Sequence, residues 1–224
     1  MSSSIDRFFE RKVVLAFSLL CALTWLLVKV TSEVVEGDAL RVDQVIVQAL
    51  RHEDNTPIGT AALVDVARDI TALGSPIVLS LLVIVTTVGL RLARQRLMAG
   101  AVLVSSVSGF GATLLMKTAI ARGRPDAAYR LIEVSGMSFP SGHAMMSSVI
   151  YLTLAILIAK ASRDIRMKLF VLVVALTLAG LVGLSRVYLG VHWFSDVVGG
   201  WVAGGVWAMA CWITVDRLSQ SEQS

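Results

Sequence analysis

Residues 97–125 read LMAGAVLVSSVSGFGATLLMKTAIARGRP, and this stretch decides the fold class. It carries no charge from Leu97 to Met116 and then becomes basic, with Lys117 and Arg124 before Pro125. A helix needs about 20 apolar residues to cross the hydrocarbon core of a bilayer. The stretch therefore predicts a transmembrane helix that ends in cations at one membrane surface.

The rest of the chain has the same character. Of its 224 residues, 56% are hydrophobic and 16% are charged, whereas a soluble domain carries about 25% charged residues. Apolar runs predict six membrane spans, at residues 13–30, 75–92, 97–117, 143–159, 169–184 and 192–215. We therefore expect an all-α fold, a polytopic membrane helix bundle that forms a single integral-membrane domain over residues 1–224.

Basic residues indicate how this bundle is oriented. They form three clusters, which precede the first span (Arg7, Arg11, Lys12), separate the second and third (Arg91, Arg94, Arg96), and separate the fourth and fifth (Lys160, Arg163, Arg166, Lys168). All three fall on one side of a six-span protein, so the positive-inside rule predicts a cell-membrane protein with both termini in the cytoplasm. The net charge of +4 is then a topology signal, and we expect no nucleic-acid partner.

The first, third and fifth connections then face outward. In the first, residues 31–74, apolar residues recur at helical spacing from Val42 to Leu50 and again from Leu63 to Ile70. This pattern predicts two short amphipathic helices at the outer surface, the second opened by Thr56 and Pro57. A solvated loop packed on the bundle is the alternative.

Ionisable and small residues gather at the outer ends of the last four spans. They are Lys117, Arg124, Ser141, Gly142, His143, Arg186, His192 and Asp196. Three cations in a poorly solvated place repel each other unless an anion lies between them. Phosphate suits them, because guanidinium forks match its oxygens and a helix N-terminus adds backbone N–H donors.

Two histidines near this set have distinct expected roles. His192 and Asp196 are four residues apart, so on a helix the carboxylate can accept a hydrogen bond from one ring nitrogen. The other nitrogen is then free to attack phosphorus. His143 arrives from a different helix and is the expected general acid.

The three segments resemble the motifs of the type-2 phosphatidic acid phosphatase and vanadium haloperoxidase superfamily. They are Lys-x6-Arg-Pro, Pro-Ser-Gly-His and Ser-Arg-x5-His-x3-Asp, all within residues 117–196. The resemblance implies a six-helix core, a phosphohistidine intermediate and no required metal ion or other cofactor. It also implies roles for eight residues: phosphate binding by Lys117, Arg124, Ser141, Gly142 and Arg186, and catalysis by His192 as nucleophile, Asp196 as its partner and His143 as acid.

The resemblance leaves the lipid phosphate substrate open. Undecaprenyl diphosphate, phosphatidylglycerol phosphate, phosphatidic acid and a phosphorylated lipid A all fit, and the oligomeric state is not predicted. A vanadate-dependent haloperoxidase is an alternative, although those relatives are soluble. A lipid transporter is another, although its ionisable residues would lie near mid-membrane.

Several other residues receive structural interpretations. Ser138 is expected to be accessible in the third connection, and His52, Arg122, Tyr129 and Arg130 to be exposed loop residues. Cys21 and Cys211 lie in apolar segments and predict neither a disulfide nor a zinc site. Gly199, Gly200, Gly204 and Gly205 are expected to permit close helix packing in the last span.

Overall fold

The computed structural model describes the backbone of residues 2–221 and the side chains of residues 14–217. This part of the chain is all-α. Its helices are α1 (Ser2–Glu36), α2 (Ala39–Ala49), α3 (Ala61–Ala72), α4 (Pro76–Leu92), α5 (Arg96–Ile120), α6 (Gly142–Ala161), α7 (Ile165–Tyr188) and α8 (Phe194–Ser221), with a 3-10 turn at Ala127–Tyr129. The side chains of the N-terminal basic cluster lie outside the described residues.

Six segments of the described chain are long and apolar enough to cross a membrane, as predicted. They are Val14–Glu36, Ala61–Leu92, Arg96–Ile120, Gly142–Ala161, Ile165–Tyr188 and Phe194–Arg217. The second segment joins the short helix α3 to α4, and α4 alone corresponds to the predicted span at residues 75–92. The fourth and fifth are longer than the apolar runs that predicted them. Backbone hydrogen bonds continue a helix past the end of its apolar sequence. Hydropathy therefore marks the part of the helix that lies in the hydrocarbon and not the ends of the helix.

Helix α6 lies at the centre of the bundle. It packs against α4, α5, α7 and α8, and its buried residues include apolar and small polar side chains along most of its length. The core is formed by Val149 and Ile150 of α6 together with Leu79 of α4, Val102 of α5 and Ala179 of α7. Because α6 begins at Gly142, within the Pro-Ser-Gly-His segment, this packing fixes that segment relative to four neighbouring helices.

Glycines on α8 let the start of α6 approach closely. A Cβ atom on Gly200 would lie 2.9 Å from the carbonyl oxygen of Ser141, and one on Gly204 would lie 2.5 Å from that of Met145. Both distances are shorter than a carbon–oxygen contact allows. Gly205 faces the other way and has room for a methyl group, so close packing explains the first two glycines and not the third.

The two predicted helices of the first connection are present, and both pack on the bundle. Helix α2 contacts α1 and α8, and α3 contacts α7. On α2 the buried residues are Asp43 and Val47, while Val42 and Val45 remain exposed. The buried carboxylate was not predicted by the apolar pattern.

The predicted start of the second short helix is wrong. Helix α3 begins at Ala61, with Thr60 in extended conformation as its N-cap residue. Pro57 instead forms an isolated antiparallel bridge with Arg51. The Thr56–Pro57 pair has the sequence of a helix start, but its backbone is used to close a tight loop after α2.

Three chain reversals at one end of the bundle prepare the functional site. Helix α5 ends at Ile120, and its C-cap residue Ala121 has a left-handed conformation with φ of 51°. Ser141 caps α6. Gly190 follows α7 with φ of +70°, and a Cβ atom there would lie 2.0 Å from a backbone oxygen of the 3-10 turn. The three motif segments therefore meet beside the start of α8.

Candidate active site

Backbone hydrogen bonds join the three motif segments. The Ser141 N–H donates to the Asp196 carbonyl at 2.9 Å, and the Ser138 N–H donates to the Arg122 carbonyl at 2.8 Å. Leu131 is similarly bonded to Leu189. The long loop between α5 and α6 is thereby held against the first turn of α8.

His192 and Asp196 form a buried pair at this turn. His192 is 2% exposed and Asp196 is fully buried, with 3.4 Å between His192 Nδ1 and Asp196 Oδ2. That distance is slightly longer than an ordinary N–H···O bond of about 2.7–3.2 Å. The same carboxylate oxygen accepts the Trp193 N–H at 2.9 Å, so Asp196 also caps α8 from its first turn.

Ser138 belongs to this pair, and the expectation that it is accessible is wrong. Its side chain is fully buried. Its hydroxyl donates to Asp196 Oδ2 and lies 3.3 Å from His192 Nδ1. Nothing in the sequence marks this serine, because its role comes from the fold of the loop onto α8.

The tautomer of His192 follows from its other neighbour. Arg124 Nη1 lies 3.1 Å from His192 Nε2. An arginine has only donors, so Nε2 accepts this bond and the ring proton is on Nδ1. The ring proton then faces Ser138 and Asp196, and the Nε2 lone pair faces the cations and accepts a hydrogen bond from Arg124.

The charge state of His192 favours the same form. Burial lowers its pKa from 6.5 to about 4, because the imidazolium would lose its hydration. Asp196 opposes this shift through its hydrogen bond and charge, and the charges of Arg124 and Arg186 add to it. The ring is therefore neutral at pH 7.

Two of the predicted phosphate-binding cations contact the loop before α6. Lys117 Nζ donates to the Met137 carbonyl at 2.8 Å. Arg124 donates through Nε to the Gly136 carbonyl at 2.9 Å and through Nη2 to the Ser135 carbonyl at 3.1 Å. Backbone dipoles thus hold both side chains at the loop that leads to the fourth span.

The third cation, Arg186, is 4% exposed. Its Nη1 donates to the Thr71 hydroxyl at 3.1 Å. Among the described residues, its buried Nε has no hydrogen-bond partner. An unpaired buried donor costs about 1–3 kcal/mol, so this guanidinium is suited to an anion that accepts from it.

The remaining predicted residues lie at the start of α6. The hydroxyl of Ser141 faces the N–H of Ala144 at 3.5 Å, and Gly142 is the first residue of the helix. His143 lies close enough to Arg186, Arg124 and Lys117 to interact electrostatically with all three. The structure therefore brings together all eight residues that the sequence singled out.

A cavity of about 510 Å³ leads from this cluster into the bundle. Lys117, Gly142 and His143 line one end. Apolar residues of α4, α5 and α6 line the rest, including Leu79, Val83, Phe110, Leu114 and Ile150. A polar end and a long apolar body match an amphiphile with an anionic head.

Arg122 is a further residue that the sequence misplaced. It is not an exposed loop residue, because its side chain is 11% exposed and forms ion pairs with Asp43 and Asp196. Arg122 is one of the six residues between Lys117 and Arg124 that the first motif leaves unspecified. The motif therefore did not predict these ion pairs. Arg130 is also partly buried and donates to the carbonyl of Pro125.

Metal ligands do not cluster in the described part of the chain. Within that part, no group of three or more His, Cys, Asp or Glu side chains is placed to hold a metal ion. The expectation that no metal ion is required stays a prediction.

Residues 96–220, more than half of the chain, match the PAP2 superfamily. A segment of 91 residues is 43% identical to phosphatidylglycerophosphatase B of Bacillus subtilis, covering 40% of this chain and 44% of that protein. A segment of 67 residues is 39% identical to an undecaprenyl-diphosphatase of Sulfolobus acidocaldarius, covering 30% of this chain and 28% of that protein. The matched segments thus span less than half of either relative.

Solved structures share the fold. A transmembrane PAP2-type phosphatidylglycerolphosphate phosphatase from Bacillus subtilis superimposes with a TM-score of 0.79 and 28% identity, over 88% of this chain and 96% of that one. LpxE of Aquifex aeolicus has the same fold, with a TM-score of 0.57 and 22% identity over 78% of this chain and 94% of that one. With the six apolar helices, the first of these likenesses identifies a multi-pass membrane protein.

The protonation of His192 gives a testable prediction. In detergent-solubilised protein with labelled histidine, the His192 ring is expected to titrate near pH 4 by NMR, and a His192→Gln variant assigns its signal. Since the unfolded ring titrates near 6.5, the unfolded state binds the proton more tightly between these values, and lowering the pH through this window destabilises the fold. A His192 midpoint at or above 6.5 would contradict the burial and tautomer described above.

Proposed function

Because the chain belongs to the PAP2 superfamily, we propose that it is a membrane lipid phosphatase, a phosphoric ester hydrolase that acts on a lipid phosphate. Two kinds of evidence support this proposal. The relatives are named as phosphatidylglycerophosphatase B and undecaprenyl-diphosphatase, and Lys117 of the cation cluster, with Gly142 and His143, lines one end of an apolar cavity. The cavity is the observation that favours a lipid over a water-soluble phosphate.

In the proposed mechanism, His192 Nε2 attacks phosphorus. A bond forms between nitrogen and phosphorus while the bond from phosphorus to the leaving oxygen breaks. His143 gives its proton to that oxygen, which leaves as an alcohol from a monoester or as a lipid monophosphate from a diphosphate. The enzyme is left as a phosphohistidine.

Water completes the cycle. His143, now neutral, takes a proton from a water molecule whose oxygen attacks the phosphohistidine. The nitrogen–phosphorus bond breaks, inorganic phosphate leaves and both histidines return to their starting states. Asp196 keeps the ring proton on Nδ1, so that Nε2 is the nucleophile and later the leaving nitrogen.

The cations stabilise the charge of the transferring phosphoryl group. Arg124 lies directly beside His192 Nε2, Lys117 lines the cavity, and Arg186 has an unpaired buried donor. We propose that these three side chains, with the backbone of Ser141 and Gly142 at the N-terminus of α6, surround the phosphate. Fixed donors in a water-poor site stabilise such a transition state strongly.

Phosphatidylglycerol phosphate is our first candidate substrate, because both the longer sequence match and the closer fold match are to phosphatases of that lipid. Undecaprenyl diphosphate is the second, since the other relative is an undecaprenyl-diphosphatase. The likeness to LpxE is too low in identity to add a lipid A substrate. No observation favours the haloperoxidase or transporter alternatives.

The cavity is tested by filling it. Ser80 lines it from an exposed position on α4, so Ser80→Trp is expected to block part of the tail path without disturbing the core. If the tryptophan displaces about two methylene groups of the lipid tail from the cavity, at roughly 0.8 kcal/mol each, the lipid binds about tenfold more weakly. We therefore expect kcat/KM to fall at least about tenfold for dioleoyl phosphatidylglycerol phosphate, measured as phosphate release, and to stay unchanged for p-nitrophenyl phosphate.

Val85→Trp is the matched control, because Val85 is exposed on the same helix and does not line the cavity. It is expected to leave both activities unchanged. Equal loss with both substrates in Ser80→Trp would show that the substitution damages the site itself. Absence of phosphate release from every lipid phosphate by the wild type would end the proposal.

We further propose that the site faces the extracytoplasmic side, as the basic clusters indicate. In a Cys21→Ala/Cys211→Ala background, Ser135→Cys places a thiol on the exposed loop beside the site, and Arg163→Cys places one between α6 and α7. An impermeant maleimide added to intact cells is expected to label Ser135→Cys at once and Arg163→Cys after permeabilisation. The reverse pattern would invert the topology.

A further inference from the structure

Arg122 lies between two buried carboxylates. Its Nη1 donates to Asp196 Oδ1 at 2.6 Å, and its Nη2 donates to Asp43 Oδ2 at 2.7 Å. The exposed fractions of the two acidic side chains are 0% and 1%. A planar guanidinium presents its donors at fixed angles and can hold both carboxylates in place, whereas a lysine ammonium group is a point charge with rotatable donors.

Ser195 closes the arrangement from α8. Its N–H donates to Asp43 Oδ1 at 2.9 Å, and its hydroxyl donates to Asp43 Oδ2. Arg122 Nη1 also lies 2.7 Å from that hydroxyl. The first turn of α8 is therefore bound to α2 in addition to the loop after α5.

The two oxygens of Asp196 have different partners. Oδ2 faces His192, Ser138 and the backbone N–H of Trp193, just before α8, while Oδ1 faces Arg122. Fixing Oδ1 prevents the carboxylate from rotating, so that Oδ2 stays beside the ring. Arg122 touches neither the ring nitrogen that attacks nor the cavity, so any effect on His192 passes through Asp196.

We propose that Arg122 is a positioning residue for the His192–Asp196 pair, and that Asp43 of α2 holds Arg122 in place. This assigns a function to the first outer connection, whose helix α2 anchors the catalytic carboxylate from outside the three motifs. The inference rests on the proposed function, because it takes His192 and Asp196 as the reacting pair.

The first test is a double-mutant cycle on full-length protein in detergent. With p-nitrophenyl phosphate, Arg122→Gln is expected to lower kcat about 10- to 100-fold with little change in KM, as when an outer partner of an active-site ligand is removed. In an Asp196→Asn background the same substitution is expected to change kcat less than about twofold. Equal losses in both backgrounds would overturn the proposal, because a purely structural residue costs the same in each.

Arg51→Gln is the matched control. Arg51 is another buried arginine of the outer connections, and it donates to the carbonyls of Tyr129 and Tyr188 without contacting Asp196. Both variants are expected to lose thermal stability, but only Arg122→Gln is expected to lose kcat. A kcat loss of the same size in Arg51→Gln would overturn the proposal.

The second test reads His192 directly and does not depend on turnover. Without the Arg122 charge, the negative charge of the Asp196 carboxylate is less neutralised and stabilises the protonated His192 ring more strongly. The pKa of the His192 ring is therefore expected to rise in Arg122→Gln, as measured by NMR titration. Asp196, Arg124 and Arg186, which face the ring, are unchanged in that variant. Arg51→Gln is expected to leave the ring pKa as in the wild type.

Asp43→Asn is the second variant, for use if Arg122→Gln does not fold. It keeps Arg122 and removes its outer counter-charge, so the ring pKa is expected to fall. A ring pKa unchanged in every folded variant would overturn the positioning role. Suppose that the wild type releases no phosphate from any substrate while the pKa of the His192 ring still changes in these variants. In that case the proposed function fails and the link from Arg122 to His192 stands.

Discussion

The Asp196 carboxylate is the group on which the rest of this site depends. It is fully buried, and a buried charge is stable only when hydrogen bonds and counter-charges surround it. Its partners come from its own helix turn, from Ser138 and from Arg122. Satisfying this one charge therefore draws the connection between α5 and α6 onto α8, and Arg122 adds α2 of the first connection through Asp43.

The second constraint is the crowding of like charges. Lys117 interacts electrostatically with both Arg124 and Arg186, and it lines the polar end of an apolar cavity, where water screens charges poorly. Carbonyl groups of the loop before α6 stabilise the first two, and Thr71 contacts the third. Carbonyls lower the repulsion but do not cancel a net charge, so the arrangement favours an anion and is consistent with a phosphate substrate.

How far the sequence predicts this structure depends on the range of the interaction. The six spans and the short outer helices follow from local hydropathy and periodicity, and the eight motif residues follow from their placement at span ends. Arg122 and Ser138 could not be predicted, because their partners lie 74 and 58 positions away. Asp43 is similar, since a carboxylate on an amphipathic helix is ordinarily solvated, and its burial depends on a contact with Arg122 79 positions away.

The central claim is that His192 attacks phosphorus, and trapping the phosphoenzyme tests it most directly. With a radiolabelled aryl phosphate and rapid quenching at alkaline pH, wild type and His143→Ala are both expected to give acid-labile phosphohistidine, the latter more slowly because general acid catalysis contributes about 10²- to 10⁴-fold and least with a good leaving group. His192→Ala is expected to give none. Phosphoenzyme at the wild-type level in His192→Ala would contradict the account.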